Sequence, residues 1–497
     1  MSSSNRVRIT TLEESVLGET PVDTFATAVI QDLTYTALTI GVEGNDIDIQ
    51  YVGGGTAGAE DVTVVGLEIT VEIEPGVTTA TQIKDAIEAS LAASSLVSVA
   101  ITGSGAATQL TTGGLFSLSG GVTNAFDTAR FISETLSGSP GTTESQQIRS
   151  DRQSSGQVLT SLELGGEINF ELAKESQLEK FMQAAMFNTW DVQALQTVNI
   201  TLDPVAKTLT RASGDWATTL DVGDIATLAG FVATINNTQF QVLEIVSPTV
   251  IRVSFNDKAG PLVLEAGVGT TYKRADRLSI GTLKRSFTME KAFLDLSNKA
   301  ILYKGMIASA MNLDITYGEI VTGSFGFSGT QYLPVESATD FATFGRVVTP
   351  AATSESMNGS VDMPFINSAI NGTLAEADFC IQSFSLALDN NLTTQTCIGQ
   401  LSPANYSEGT AAIEVSLSAY LSDDNWDAIA LKISQAPVAV GFMIENLAGW
   451  YGFYLPAVQL SFADPASAGP NQEVSLEMTG QAKIGAAGES ALYIYRS

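Results

Sequence analysis

Histidine is absent from this chain of 497 residues, and with it go the usual general base, the commonest metal ligand and the side chain that switches charge near neutral pH. Cysteine is nearly absent: Cys380 and Cys397 are the only two, too few for a disulfide framework, and two unlinked thiols in the core are expected. Basic residues are scarce, with 24 Lys plus Arg against 54 Asp plus Glu and a formal net charge of -30. Nucleic-acid affinity comes largely from basic side chains displacing counterions, so this balance argues against a phosphate clamp but not against a wall past which DNA slides. No run of about 18 apolar residues occurs, and the opening MSSSNRVRITTLEES lacks the apolar core of a signal peptide, so no membrane passage is expected. The GGG at 53–55 has no following Lys-Ser or Lys-Thr and is no phosphate loop.

What is present is length and β-forming composition. The chain exceeds one ordinary domain, and 44% hydrophobic residues with 44 glycines and many Thr, Ser and Val read as a mainly β (α+β) fold of three or four units. In LELGGEINFELAKESQLEKFMQAAMF, Ile168, Phe170 and Leu172 alternate with Glu167, Asn169 and Glu171, the pattern of a half-buried strand. A helix follows, with Leu178, Phe181, Met182 and Ala185 at i, i+3, i+4 and i+7, and Ser176 with Glu179 fits a capping box. GTAAIEVSLSAYLSDDNWDAIALKI repeats the sequence of events: Ile413, Val415 and Leu417 alternate with Glu414, Ser416 and Ser418, and the helical spacing returns in Trp426, Ile429, Ala430 and Ile433. Asp423, Asp424 and Asp427 read as helix-start residues favoured by the dipole rather than as catalytic or metal-binding carboxylates.

Downstream, the segment from Ser286 has the same order of strands as the segment from Val440, with Phe287 and Glu290 matching Phe442 and Glu445. Upstream, FISETLSGSPGTTESQQIRSDRQSSGQ corresponds to FSLALDNNLTTQTCIGQLSPANYSEGT, each a strand, a polar arm and a second strand. One module therefore occurs twice on this reading. The expected organisation is an N-terminal arm at 1–27, an inserted α+β domain at 28–123, the first module at 124–190 and 276–333 with its polar arm at 137–157, an inserted small β domain at 191–275, a linker at 334–377 and the second module at 378–497.

The order of EESVLGETP, ESQQIRSDRQ, GGEINFEL with its helix, VGDIATLAGF with NNTQFQV, SFTMEK with YKGM, and LDNNL with the last module resembles the tail tube protein of long non-contractile-tailed bacteriophages. The resemblance covers nearly the whole chain apart from 28–123. It implies tandem β-sandwich modules, each with a flanking helix, that close side by side into rings whose inner strands line a hollow tube for genomic DNA. Two modules per chain resemble the fused tube proteins of some siphophages, so three chains would build a pseudo-sixfold ring; a homohexamer is the alternative. The resemblance further implies tape measure, tail terminator and distal tail proteins as partners, transient passage of DNA without specific binding, no cofactor, no enzymatic activity, and a place in the virion tail after assembly in the host cytoplasm.

Within that frame Glu167, Asn169, Glu171, Glu414, Ser416 and Ser418 are the candidates to face the lumen, where an acidic and hydroxyl-rich wall repels phosphates. Arg149 and Arg152 in the arm are the candidates to pair with acidic surface on a neighbouring module or ring, and the two inserts belong outside the bore. Residues 273–304 carry eight basic residues against Asp276, Glu290 and Asp295, whereas from 334 onward Arg346, Lys432, Lys483 and Arg496 face 17 acidic ones. This asymmetry predicts basic and acidic copies meeting across interfaces. A capsid or tail decoration protein and a cell-surface adhesin share the composition and stay open as alternatives.

Overall fold

Period-two alternation sends side chains to opposite faces of a strand, and the main body of the protein is built from strands of this kind. The structure, a computed structural model, describes residues 6–497 except 22, 149, 152, 154–155, 297–298, 336–347, 371–372, 378, 466–472 and 487. The chain divides into two compact units, one of Met1–Glu19, Thr128–Glu336 and Pro350–Ser497, the other of Thr20–Asp127 and Ser337–Thr349.

The first unit contains a β-sandwich. Its strands in chain order are β1 (Val7–Glu13), β2 (Ser133–Glu134), β3 (Ser137–Glu144), β4 (Gln157–Glu171), β5 (Ser286–Phe293), β6 (Lys299–Thr316), β7 (Thr322–Ser328), β8 (Gln331–Val335), β9 (Phe365–Ser368), β10 (Ile381–Asp389), β11 (Ala412–Tyr420), β12 (Val438–Asn446), β13 (Gly449–Ser461), β14 (Ser475–Ala482) and β15 (Tyr493–Arg496). Helix α1 (Ser176–Met186) follows β4, and α2 (Asp427–Ser434) follows β11. One antiparallel layer runs β2 and β3, then β4–β7–β6–β10–β11–β14–β13. The other layer is in two pieces, β1–β5–β6–β8 and β9–β12–β13–β15.

The long strands β6 and β13 each serve both layers, one half in each. In β6 the change of direction falls beside Gly305, at φ +65°, where a Cβ would stand 2.1 Å from Thr330 Oγ1; only glycine fits both the conformation and the space. Pairing order repeats along the chain: β2/β3–β4–β7–β6–β5–β1 is followed by β10–β11–β14–β13–β12–β9. The two series join where β6 pairs with β10 over Ala310–Thr316 and Ser383–Asp389.

Between the layers lies one apolar core containing Ile168, Phe170, Leu172, Ile413, Val415 and Leu417. Helix α1 is sealed into it: Phe181 meets Phe287, Phe325 and Phe327 at 5.6, 5.5 and 5.1 Å between ring centroids. The expected capping box does not form. Glu175 is the N-cap, without a side-chain cap hydrogen bond, because Glu179 turns instead to Lys174 at 2.6 Å and to Arg496. Helix α2 departs further from expectation, since Trp426 and Ile433 on its apolar stripe are 58% and 80% exposed. Asp423 and Asp424 occupy the first turn of a 3-10 segment and Asp427 the first turn of α2. Cys380 and Cys397 are unlinked as expected, yet both are exposed rather than in the core.

Residues near 191–275 form an eight-stranded sheet with its own core around Trp216, Phe240 and Tyr272. Arg277 anchors it, bonding Asp221 at 3.0 Å and the buried Asp224 at 3.1 Å, while the Tyr495 hydroxyl donates to Asp224 at 2.9 Å. In the second unit the flanks of the insert meet, with the Asn124 N–H donating to Asp23 at 2.7 Å. There the expected strand in IGVEGNDIDIQYV is split by a 3-10 turn at Val42–Asp46, and VVGLEITVEI is a hairpin turned at Gly66. The helix Ala80–Ala89 starts on a formed Thr79–Gln82 capping box.

Candidate functional site

The layer that runs from β4 to β13 turns its apolar residues to the core, so register aligns the opposite residues into rows. One row reads Asn169, Ser324, Asn312, Ala387, Glu414, Gln481, Gln459, and the next Glu171, Thr322, Asp314, Ser385, Ser416, Thr479, Ser461. A third, shorter row places Glu167 beside Gly326, Ala310 and Asp389. Two troughs lie along this face, both bordered by Ser385 and Ala387, one over Asn169 and Asn312, the other over Glu414 and Gln459. The surface is thus continuous across the β6–β10 junction.

Its chemistry is one-sided. Among the described residues of these rows the charged side chains are Glu167, Glu171, Asp314, Asp389 and Glu414, and none is Lys or Arg. Amides and hydroxyls fill the remainder, some bonded to one another, as Asn312 Nδ2 donates to Ser324 Oγ at 3.0 Å and Asn169 Nδ2 to Ser133 Oγ at 2.8 Å. A face of this composition attracts no polyanion and offers it only weak, water-like contacts.

All six sequence-derived candidates lie on this side of the layer, but not equally. Glu167 and Glu414 are exposed, and Glu171 accepts a 2.6 Å bond from Ser356. Ser418 is buried and donates to Glu477 at 2.6 Å. Sequence reasoning missed the positions on β6, β7, β10, β13 and β14, although the alternation in SFSLALD and VSLEMTGQ carries the same signal as in GGEINFEL.

The two arms differ. Arg149 and Arg152 lie outside the described residues. The strands around them, β3 and the start of β4, form a long exposed hairpin with Val158 and Leu159 in solvent. The counterpart arm, whose short strands are Thr393–Gln395 and Asn405–Ser407, folds back on the first half of the sandwich. Tyr406 is buried beside Phe187 and Ile307, and its hydroxyl donates to the Gly329 carbonyl at 2.8 Å. Burial, with the charge of Glu163 behind it, pushes that hydroxyl up to about 12, so it remains a donor. Lys284 reaches the Tyr406 carbonyl and Glu408, each at 2.9 Å, and the Leu162 N–H donates to the Leu401 carbonyl at 2.8 Å.

The basic segment is already engaged within the chain. Lys273 pairs with Asp276, Arg274 with Asp191, Arg285 with Glu13 and Lys291 with Glu134. In the pair Lys284 to Glu408 the basic segment meets the acidic second half directly. Among the described residues no group of three or more Cys, Asp or Glu could hold a metal ion, and no helix is long and apolar enough to cross a membrane.

Comparison with known proteins bears on the polar face and the arms together. A family model described as phage tail tube protein matches residues 111–482, well over half of the chain. No curated protein matches.

Proposed function

The chain belongs to the phage tail tube protein family, and from that membership we propose that it builds the tube as stacked rings, with the continuous β4-to-β13 layer as the inner wall and genomic DNA passing along its polar face. It is a structural protein of the phage tail. The observation that carries the proposal is that face: one uninterrupted sheet, acidic and hydroxylated, spanning both halves of the sandwich. Glu167, Asn169, Glu171, Glu414, Ser416 and Ser418 then belong to the bore, where negative charge keeps phosphates from lodging.

The repeated pairing order supports two tandem modules, 124–190 with 276–333 and 378–497, joined through 334–377. Two modules per chain in a sixfold frame make a ring of three chains. Residues 28–123 and 191–275 sit outside the bore, since a lumen cannot hold added domains and pass DNA. The arm at 137–157 lies on a neighbouring copy, as the counterpart arm lies on the first half of its own chain. Tape measure, terminator and distal tail proteins are the further partners, and assembly precedes release from the host cytoplasm.

Native mass spectrometry of isolated rings, with negative-stain images of the same sample, tests the reading. Rings or tubes of trimer mass are expected. Rings of six full-length chains would remove the pseudo-sixfold arrangement and leave the tube; monodisperse particles without rings would remove both.

A further inference from the structure

A sheet edge exposes unpaired backbone groups, and proteins blunt such edges with side chains and inward-pointing charges. The wall layer has two edges of this kind. At one end the Leu136 N–H donates to Glu134 Oε2 at 2.9 Å, and the Leu136 carbonyl accepts from Tyr303 at 2.9 Å. At the other end the Phe462 carbonyl accepts from Lys432 Nζ at 3.4 Å, and Lys432 is ion-paired with Asp464. Each edge is thus held by the chain's own side chains.

Inside the chain the same two kinds of edge are already joined, and register identifies the counterparts. Leu172 bonds Val321 as Leu421 bonds Val474. Four residues back, Ile168 and Leu417 face Glu134 and Phe384; five residues on, Gly326 and Thr479 face Ala310 and Ser461. Glu134 therefore stands where Phe384 stands, and Ser461 where Ala310 stands. The Asn312–Ala387 and Leu313–Leu386 pairs of the internal junction translate into Ala463 with Ser137 and Asp464 with Leu136.

The helices add an independent sign. At the internal junction, residues of the second half seal α1: Asn390 Nδ2 donates to the Ala185 carbonyl at 2.9 Å, Tyr451 donates to Glu179 at 3.3 Å, and Arg496 pairs with Glu179. Helix α2 occupies the matching place beside the other edge, with Trp426 and Ile433 in solvent. A second copy of this chain is the occupant that supplies both the missing strand and the missing cover.

We propose that Leu136–Ser139 of one copy and Ser461–Asp464 of another pair antiparallel in the register of the β6–β10 junction, and that Glu134 and Lys432 are caps that keep these edges closed in the separate chain. This rests on the ring reading. On joining, Glu134 keeps Lys291 and Lys432 keeps Asp464 as charge partners, and closure replaces self-capping by strand pairing. A chain capped in this way stays dispersed until both edges open together.

The test uses the full chain with Cys380→Ser and Cys397→Ser, to which Ser137→Cys and Ala463→Cys are added. These positions form a close, non-hydrogen-bonded pair in the proposed register, at a separation that suits a disulfide. Mild oxidation under assembly conditions is expected to give covalent oligomers ending in a closed ring, whereas Ser139→Cys with Ala463→Cys, two residues out of register, gives few. Rings in the micrographs without the cross-link, or with the offset pair linking better, overturn the seam and leave the ring reading standing. If the unmodified chain forms no ring and the cross-link is absent, the ring reading itself fails. For the caps, Lys432→Ala is expected to lower the concentration for half-maximal cross-linking roughly tenfold, which corresponds to ~1.4 kcal/mol; an unchanged or higher concentration overturns their role.

Discussion

Helices α1 and α2 follow equivalent strands and share an apolar spacing, yet one is sealed and the other stands half in solvent. Around α1, even Gln177 and Glu179 are buried, because strands β13 and β15 of the second half close over it. Around α2 only Ala428 is buried. The contrast teaches that an apolar stripe states what a helix can cover, whereas the neighbours decide whether it is covered. In a ring-forming protein an uncovered stripe next to a sheet edge marks where the chain ends and the assembly begins.

The most severe way to break the comparison is to cut the core on one side only. Phe181→Ala removes three aromatic contacts and is expected to cost about 3–5 kcal/mol in denaturant unfolding. Trp426→Ala in the separate chain is expected to cost under ~1 kcal/mol, as exposed positions do, while reducing ring yield. Equal losses for the two variants would mean that α2 belongs to the core of the monomer.

A milder cut goes through the polar seal of α1. Glu179→Ala takes from Lys174 its carboxylate and leaves Arg496 with Asp276, and about 1–3 kcal/mol is expected from the lost charge-assisted bonds. The matched change in α2, Asp427→Ala, loses only an exposed first-turn carboxylate, about 0.3–1 kcal/mol. Thermal melts of the pair measure the ratio, and a reversed order would contradict the difference in cover.

Changing Glu167, Glu171 and Glu414 together to Lys sharpens the comparison between wall and core. Glu171 forfeits its bond from Ser356, about 1 kcal/mol, and the other two positions shift stability by no more than ~0.5 kcal/mol each. The chain is expected to fold and assemble, and the virions to adsorb normally but release DNA slowly, because each lysine gives a phosphate a partner. Ejection at the normal rate would take these residues out of the bore or make its charge irrelevant; an insoluble chain would place them in core or interface.

The smallest effect is expected at the docked arm. Lys284 and Glu408 are a partly exposed pair, so Glu408→Gln should lower stability only slightly, and less at high salt. Tyr406→Phe removes the bond to Gly329 and leaves the packing, about 1 kcal/mol. A larger loss for Glu408→Gln than for Tyr406→Phe would mean that charge rather than burial holds the arm.

Much of this was legible in the residues themselves. Period two in GGEINFEL and AAIEVSL assigned both faces, because a strand has only two and burial of Ile168, Phe170, Ile413 and Val415 leaves the acids no alternative. The helical spacing in SQLEKFMQAAM named the side chains of α1 that enter the core. The Ser176–Glu179 capping box was misread because its logic is local, whereas Glu179 is claimed by Arg496, 317 positions away. The basic segment at 273–304 looked available to other copies for the same reason: its carboxylate partners Glu13, Asp191 and Glu408 are remote in sequence.

Alternation, helical period and charge count are properties of neighbours along the chain, and they determined the mainly β class, the split into apolar and polar faces, and the lack of basic residues on the wall. Which strands stand side by side, that β6 meets β10 and carries one face across both halves, that the second arm rather than the first is docked, and that α1 is closed while α2 is open were decided only in the tertiary structure. Those outcomes depend on backbone hydrogen bonds and burial between residues far apart in sequence, energies to which no local pattern is sensitive.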